Sequence, residues 1–112
     1  MNQRKRIGEM IRCSKCGMDL EDKAGKNVIA SISGSIMGDE TIETFFHCPA
    51  CDSYTLELCH DRFCGDATAR MEGPFILTDV EERIALIRKC AVPWDKTCRC
   101  DAHRIYFEGW LD

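Results

Sequence analysis

Two Cys-x-x-Cys pairs, Cys13-Ser-Lys-Cys16 and Cys48-Pro-Ala-Cys51, stand 31 residues apart and constrain this chain more than any other feature. Two residues between thiols let one tight turn aim both sulfurs at a single ion. Two such turns supply the four thiolates of a tetrahedral metal site. The same turns direct backbone N–H groups at the sulfurs and spread the thiolate charge. Gly17 follows the first pair, where such a turn exits with positive φ, and Pro49 stiffens the second. The residues between the pairs then read as a loop closed by the metal.

At 112 residues the chain has a limited core to bury and needs a staple. Nine cysteines supply candidates. The opening Met-Asn-Gln-Arg-Lys-Arg is followed by no apolar stretch of the kind a secretory signal carries, and no apolar run approaches a membrane span. The expectation is a cytoplasmic protein without a membrane association, in which paired cysteines serve metal rather than disulfides.

The net charge of −4 is unevenly spread. Residues 1–15 carry +4, residues 16–87 carry −9, residues 88–104 carry +3 and the last eight −2. Metal loading adds further negative charge, because several thiols lose protons for each divalent ion gained. That balance disfavours non-specific nucleic-acid binding, which rests on neutralising phosphates. The basic residues cluster instead beside the cysteine loops, where they offset anionic thiolate sites. A local anionic-ligand or RNA patch is the sharper alternative.

Hydrophobic periodicity places the elements. Val28, Ala30, Ile32, Gly34 and Ile36 alternate with Ser31, Ser33 and Ser35, as in a half-buried strand. Gly38-Asp39 suits a two-residue hairpin turn, and Thr41 to His47 returns as a β-branched and aromatic strand leading into Cys48. Tyr54, Leu56 and Leu58 alternate with Thr55, Glu57 and Cys59 in a third strand. The expected class is α+β: a small metal-stapled domain with a three-stranded antiparallel sheet, one helix and a Cys/His-rich C-terminal segment.

Cys13-x-x-Cys16-Gly17 followed by Cys48-Pro-x-Cys51 resembles the zinc-ribbon superfamily and, equally, the rubredoxin pattern, over roughly residues 10–60. Rubredoxins usually carry aromatic residues just after the first pair, a tryptophan shortly before the second and glycine after it. This chain has Met18, Phe45-Phe46 and Asp52 at the comparable places. These departures favour zinc over iron. The resemblance implies a ribbon module over residues 1–60, with residues 61–112 packed on it as one domain.

Residues 59–73, beginning Cys-His-Asp-Arg-Phe-Cys-Gly-Asp, read as irregular. Cys59, His60, Asp61 and Cys64 are potential donors, but their spacing matches no derivable site. Thr78-Asp-Val-Glu81 has the form of a capping box opening a helix, and Val80, Ile84, Ile87 and Ala91 follow at helical spacing. Arg88 and Lys89 suit the negative end of that helix, and Pro93 stops it.

The tail holds a second constellation: Cys90, Cys98, Cys100 and His103, or C-x7-C-x-C-x2-H. Three thiols and an imidazole within 14 residues match, in type and number, a closed zinc site of three cysteines and one histidine. An iron–sulfur cluster that recruits Cys59 or Cys64 is the alternative. Tyr106, Phe107, Trp110 and Leu111 form an apolar end expected to dock a short terminal helix, with an exposed aromatic patch for a partner as the alternative.

A catalytic zinc keeps a position open for water or substrate, whereas four thiolates close the first site. No phosphate-binding glycine loop is present. His60, Asp61 and Cys64 have nucleophile-and-base residue types without a motif that joins them. The residues therefore point to a non-catalytic zinc-binding ribbon that serves as a small subunit or adaptor in a larger complex, with another protein as partner. Two alternatives are a rubredoxin-like or iron–sulfur electron carrier, and a nucleic-acid-binding ribbon that would use Arg4–Arg6 or Arg99 and Arg104.

Overall fold

The computed structural model describes residues 11–20, 27–61 and 67–112. A four-stranded antiparallel sheet is built from β1 (Val28–Ile36), β2 (Asp39–Cys48), β3 (Ser53–Asp61) and β4 (Ala67–Phe75) in simple meander order. Two helices follow, α1 (Leu77–Lys89) and α2 (Asp101–Tyr106). The sheet thus has one strand more than the sequence pattern suggests. β3 runs on through Cys59 to Asp61, and much of the stretch read as irregular is β4. Among its described side chains only Glu72 and Phe75 are even partly buried, so β4 shows no apolar alternation. It is held by its backbone ladder to β3.

The first hairpin also differs by one residue. Ile36 pairs with Asp39, so the turn is Met37-Gly38, and both residues have positive φ (53° and 84°). That is the requirement of a type I′ connection, whose twist matches the flanking strands. Ala30, Ile32 and Ile36 share the expected inward face, but a register shift between Val28 and Ala30 leaves Val28 exposed. The opposite face is not a solvated one: Ser33, Thr55, Glu57 and Cys59 are all buried.

Helix α1 packs against β1, β3 and α2. Val80, Ile84 and Ile87 form its buried stripe, one turn apart as the periodicity predicts, while Ala91 lies beyond its end and is exposed. The stripe meets Ala30, Ile32, Phe45 and Leu56 from the sheet and Tyr106 and Phe107 from the C-terminal segment. The helix begins earlier than the Thr78 box implies. Ile76 is the N-cap, and the Asp79 carboxylate accepts its N–H at 3.2 Å. Isoleucine has no side-chain acceptor, so only this half of a capping box exists. A second, smaller core of Ile11, Cys13, Leu20, Phe46 and Cys48 lies beneath the paired cysteine turns.

Candidate metal centres

Local hydrogen bonding shapes the first cysteine turn. Cys13 N–H donates to the Met18 carbonyl at 2.8 Å, Gly17 N–H donates to the Cys13 carbonyl at 3.0 Å, and Gly17 takes φ 81°. Lys15 and Cys16 then direct their N–H groups at Cys13 Sγ, at 3.3 and 3.4 Å. The second turn repeats the plan between β2 and β3. Asp52 N–H donates to the Cys48 carbonyl at 2.8 Å, and Asp52 takes the positive-φ place (56°) that Gly17 fills in the first. Aspartate tolerates this conformation better than most residues. His47 Nε2, 2.7 Å from the Asp52 carboxylate, anchors it.

These turns bring Cys13, Cys16, Cys48 and Cys51 together, with the four sulfurs all within 4.8 Å of one another. Cys13 and Cys51 are 3.5 Å apart, and Cys16 and Cys48 3.6 Å. A tetrahedral zinc with bonds of about 2.3 Å needs sulfur–sulfur edges of about 3.8 Å, so the donor set suits such an ion. Ser53 and Thr55, both buried on β3, support it. Ser53 Oγ lies 3.3 Å from Cys13 Sγ and 3.1 Å from Cys51 Sγ. Thr55 Oγ1 accepts the Ser14 N–H at 3.1 Å and pairs with the Ser14 hydroxyl at 3.0 Å, tying the first turn to the sheet. The sequence signal for Ser53 was a hydroxyl two residues beyond a paired cysteine; Thr55 had none.

Burial opposes ionisation of the Cys13 thiol. The Cys16 N–H, the Ser53 hydroxyl and the Lys15 N–H outweigh it and bring the group down from 9.0 to about 6. At Cys16 the Met18 N–H favours the thiolate, but burial and sharing with Cys48, Cys51 and Cys13 push it up to about 11. Crowded thiols cannot all ionise side by side; a divalent cation among them stabilises every one as thiolate.

The second group is assembled from three places. Cys90 is the C-cap of α1, Cys98 lies in the following loop, and Cys100 is the N-cap of α2, where its sulfur accepts the His103 N–H at 3.4 Å. The loop is shaped by Asp95, which accepts the N–H and hydroxyl of Thr97. Cys90 Sγ is 3.7 Å from Cys98 Sγ and 3.2 Å from His103 Nδ1, and Cys100 Sγ is 3.8 Å from the same nitrogen. All four donor atoms fall within the same 4.8 Å limit as the first group. His103 is fully buried, and its Nε2 lies 2.8 Å from the Ser33 carbonyl on β1. A carbonyl only accepts, so Nε2 carries the proton and Nδ1 keeps its lone pair for a metal. The His103 backbone N–H brings Cys100 down to about 6, while burial and its neighbouring thiols push Cys90 up to about 11.

The two sets differ from other donors in the chain. Cys59 is buried on β3 and belongs to neither group, and His60 Nε2 pairs with Asp39 at 3.0 Å. Cys64 and Arg4–Arg6 lie outside the described residues. Arg99, one of the expected phosphate contacts, is occupied by the carbonyls of Lys96, Cys98 and Asp112. Arg88 likewise donates to the Ile29 carbonyl. No helix among the described residues is long and apolar enough to cross a membrane.

A metal in the second group would dominate the order of the tail. Structural zinc contributes on the order of 10 kcal/mol or more to folding, against about 1.5–3 kcal/mol for each buried aromatic side chain. α2 has six residues, too few to be helical unaided. In comparisons with known proteins, no family model, no curated protein and no solved structure matches the chain.

Proposed function

We propose that this protein is a non-catalytic zinc-binding ribbon that acts as a small subunit or adaptor within a larger protein complex. In this reading Cys13, Cys16, Cys48 and Cys51 hold one ion and Cys90, Cys98, Cys100 and His103 another, with the ribbon and the C-terminal segment working as one unit. The observation that carries it is the completeness of both donor sets: each gathers four protein donors around one point. A zinc so enclosed lacks the open position at which water or substrate would be activated. Trp94 and Trp110, 69% and 67% exposed, offer the aromatic contacts that protein interfaces favour. The engaged guanidinium groups of Arg88 and Arg99 weigh against phosphate binding.

The test is native expression of the full chain, purification without chelator, elemental analysis with anaerobic absorbance, and crosslinking before lysis. A colourless product with two zinc ions per chain and a stoichiometric protein partner is expected. A red or brown iron protein would overturn the metal assignment. Monomer alone, with no crosslinked partner, would overturn the adaptor role.

A further inference from the structure

We propose that the C-terminal metal loop is a metal-dependent cover over the outer edge of β1, and that loss of the metal opens this edge to strand pairing with a second copy of the chain. The inference rests on reading Cys90, Cys98, Cys100 and His103 as ligands; it does not need the adaptor role.

Strand order makes β1 and β4 the two edges of the sheet. They are guarded differently. β4 carries Arg70, Glu72 and Pro74, the charges and proline that deter edge-to-edge association. β1, Val-Ile-Ala-Ser-Ile-Ser-Gly-Ser-Ile, is nine residues without a charge or a proline. Among the described residues, its protection beyond the Ile29 carbonyl, which Arg88 covers, comes from the tail. Ser33 N–H donates to the Pro93 carbonyl at 2.8 Å, the Ser33 carbonyl accepts from His103 Nε2 at 2.8 Å, and the Ser35 carbonyl accepts the Asp112 N–H at 2.9 Å.

These three contacts come from residues 93–112, the segment that holds three of the four proposed ligands. One of them is made by a ligand itself: a single imidazole faces the metal through Nδ1 and the strand through Nε2. Cover and coordination sphere are therefore one object. Without the metal, a six-residue helix and a loop must hold the edge through the packing of Tyr106 and Phe107 and the contacts of Asp112 alone.

Release of the cover leaves the outward N–H and C=O groups of Ser33 and the carbonyl of Ser35 unpaired. Another β1 in antiparallel orientation satisfies such groups on both chains, in a two-fold symmetric pair with the small residues Ser33, Gly34 and Ser35 at the seam.

Sedimentation velocity and amide hydrogen exchange on the full chain test this. Samples are the zinc-loaded wild type, the Cys98→Ser/Cys100→Ser variant, and that variant with Ser35→Lys, which puts a charged side chain on the otherwise uncharged edge. The double variant is expected to lose one zinc per chain, keep the first site filled, and dimerise with increasing concentration. In dilute monomer its Ser33 amide should exchange faster than in wild type. Ser35→Lys should weaken the dimer at least about tenfold. A double variant that loses one zinc but stays monomeric, or a dimer insensitive to Ser35→Lys, overturns the proposal and leaves the metal assignment intact. A wild type without metal in the second site overturns the assignment beneath it.

Discussion

Replacing Gly34 with alanine would put a methyl carbon 2.7 Å from both Leu111 Cδ2 and Phe107 Cε2, and 2.9 Å from Phe107 Cζ. Leu111 Cδ2 is the free end of a flexible side chain and can yield. Phe107 cannot do so cheaply: it is buried, packs edge-on against Tyr106 with ring centroids 5.0 Å apart, and stacks on His103 at 6.2 Å. Overpacking of this kind costs about 1–3 kcal/mol. Alanine narrows the unfolded ensemble and returns about 0.4–1 kcal/mol. Overpacking therefore wins by roughly 1–2 kcal/mol, a factor of about 5–30 in an equilibrium constant. Because the displaced ring stacks on His103, a proposed ligand, the loss should fall on the proposed second metal site. Cobalt substitution separates the two centres by their spectra, and chelator competition read at each set of bands gives both affinities. Gly34→Ala should weaken cobalt at the centre containing His103 about 5–30-fold and leave the four-cysteine centre unchanged. Unchanged affinity at both, or equal weakening at both, would refute the coupling of Gly34 to His103 through Phe107.

Further outcomes follow from the two donor sets. Cys48→Ser should unfold the ribbon in far-ultraviolet circular dichroism, since a structural zinc supplies on the order of 10 kcal/mol where whole domains have about 5–15. Cys59→Ser, outside both groups, should cost only about 1 kcal/mol in urea unfolding, and equal damage from both would mean the ligands are misassigned. Ser53→Ala should lower first-site affinity about tenfold in chelator competition without touching the second, because it removes the hydroxyl beside Cys13 and Cys51.

How much could be read in advance depended on whether the information was local. Cys-x-x-Cys spacing, C-x7-C-x-C-x2-H spacing and the Val80, Ile84, Ile87 stripe each state a geometry within a turn or two of chain, and the residues of both donor sets were legible from them. β1 and β3 were legible because apolar residues alternate with polar ones in their sequence, and β2 because it is rich in β-branched and aromatic residues. β4 was not, since a strand exposed along most of its length leaves no apolar period and is defined by its ladder to β3. The hairpin falls one residue earlier than its glycine suggests because Met37 adopts a positive φ that non-glycine residues usually avoid. Tertiary structure alone decided that Ser53 and Thr55 support the first site, that His103 presents Nδ1 because Ser33 holds Nε2, and that Gly34 leaves room for Phe107. Ser33 and His103 are 70 positions apart, and a backbone carbonyl has the same chemistry in every residue. No local pattern can mark which carbonyl an imidazole will meet, so only the packing of the tail on the sheet edge makes that choice.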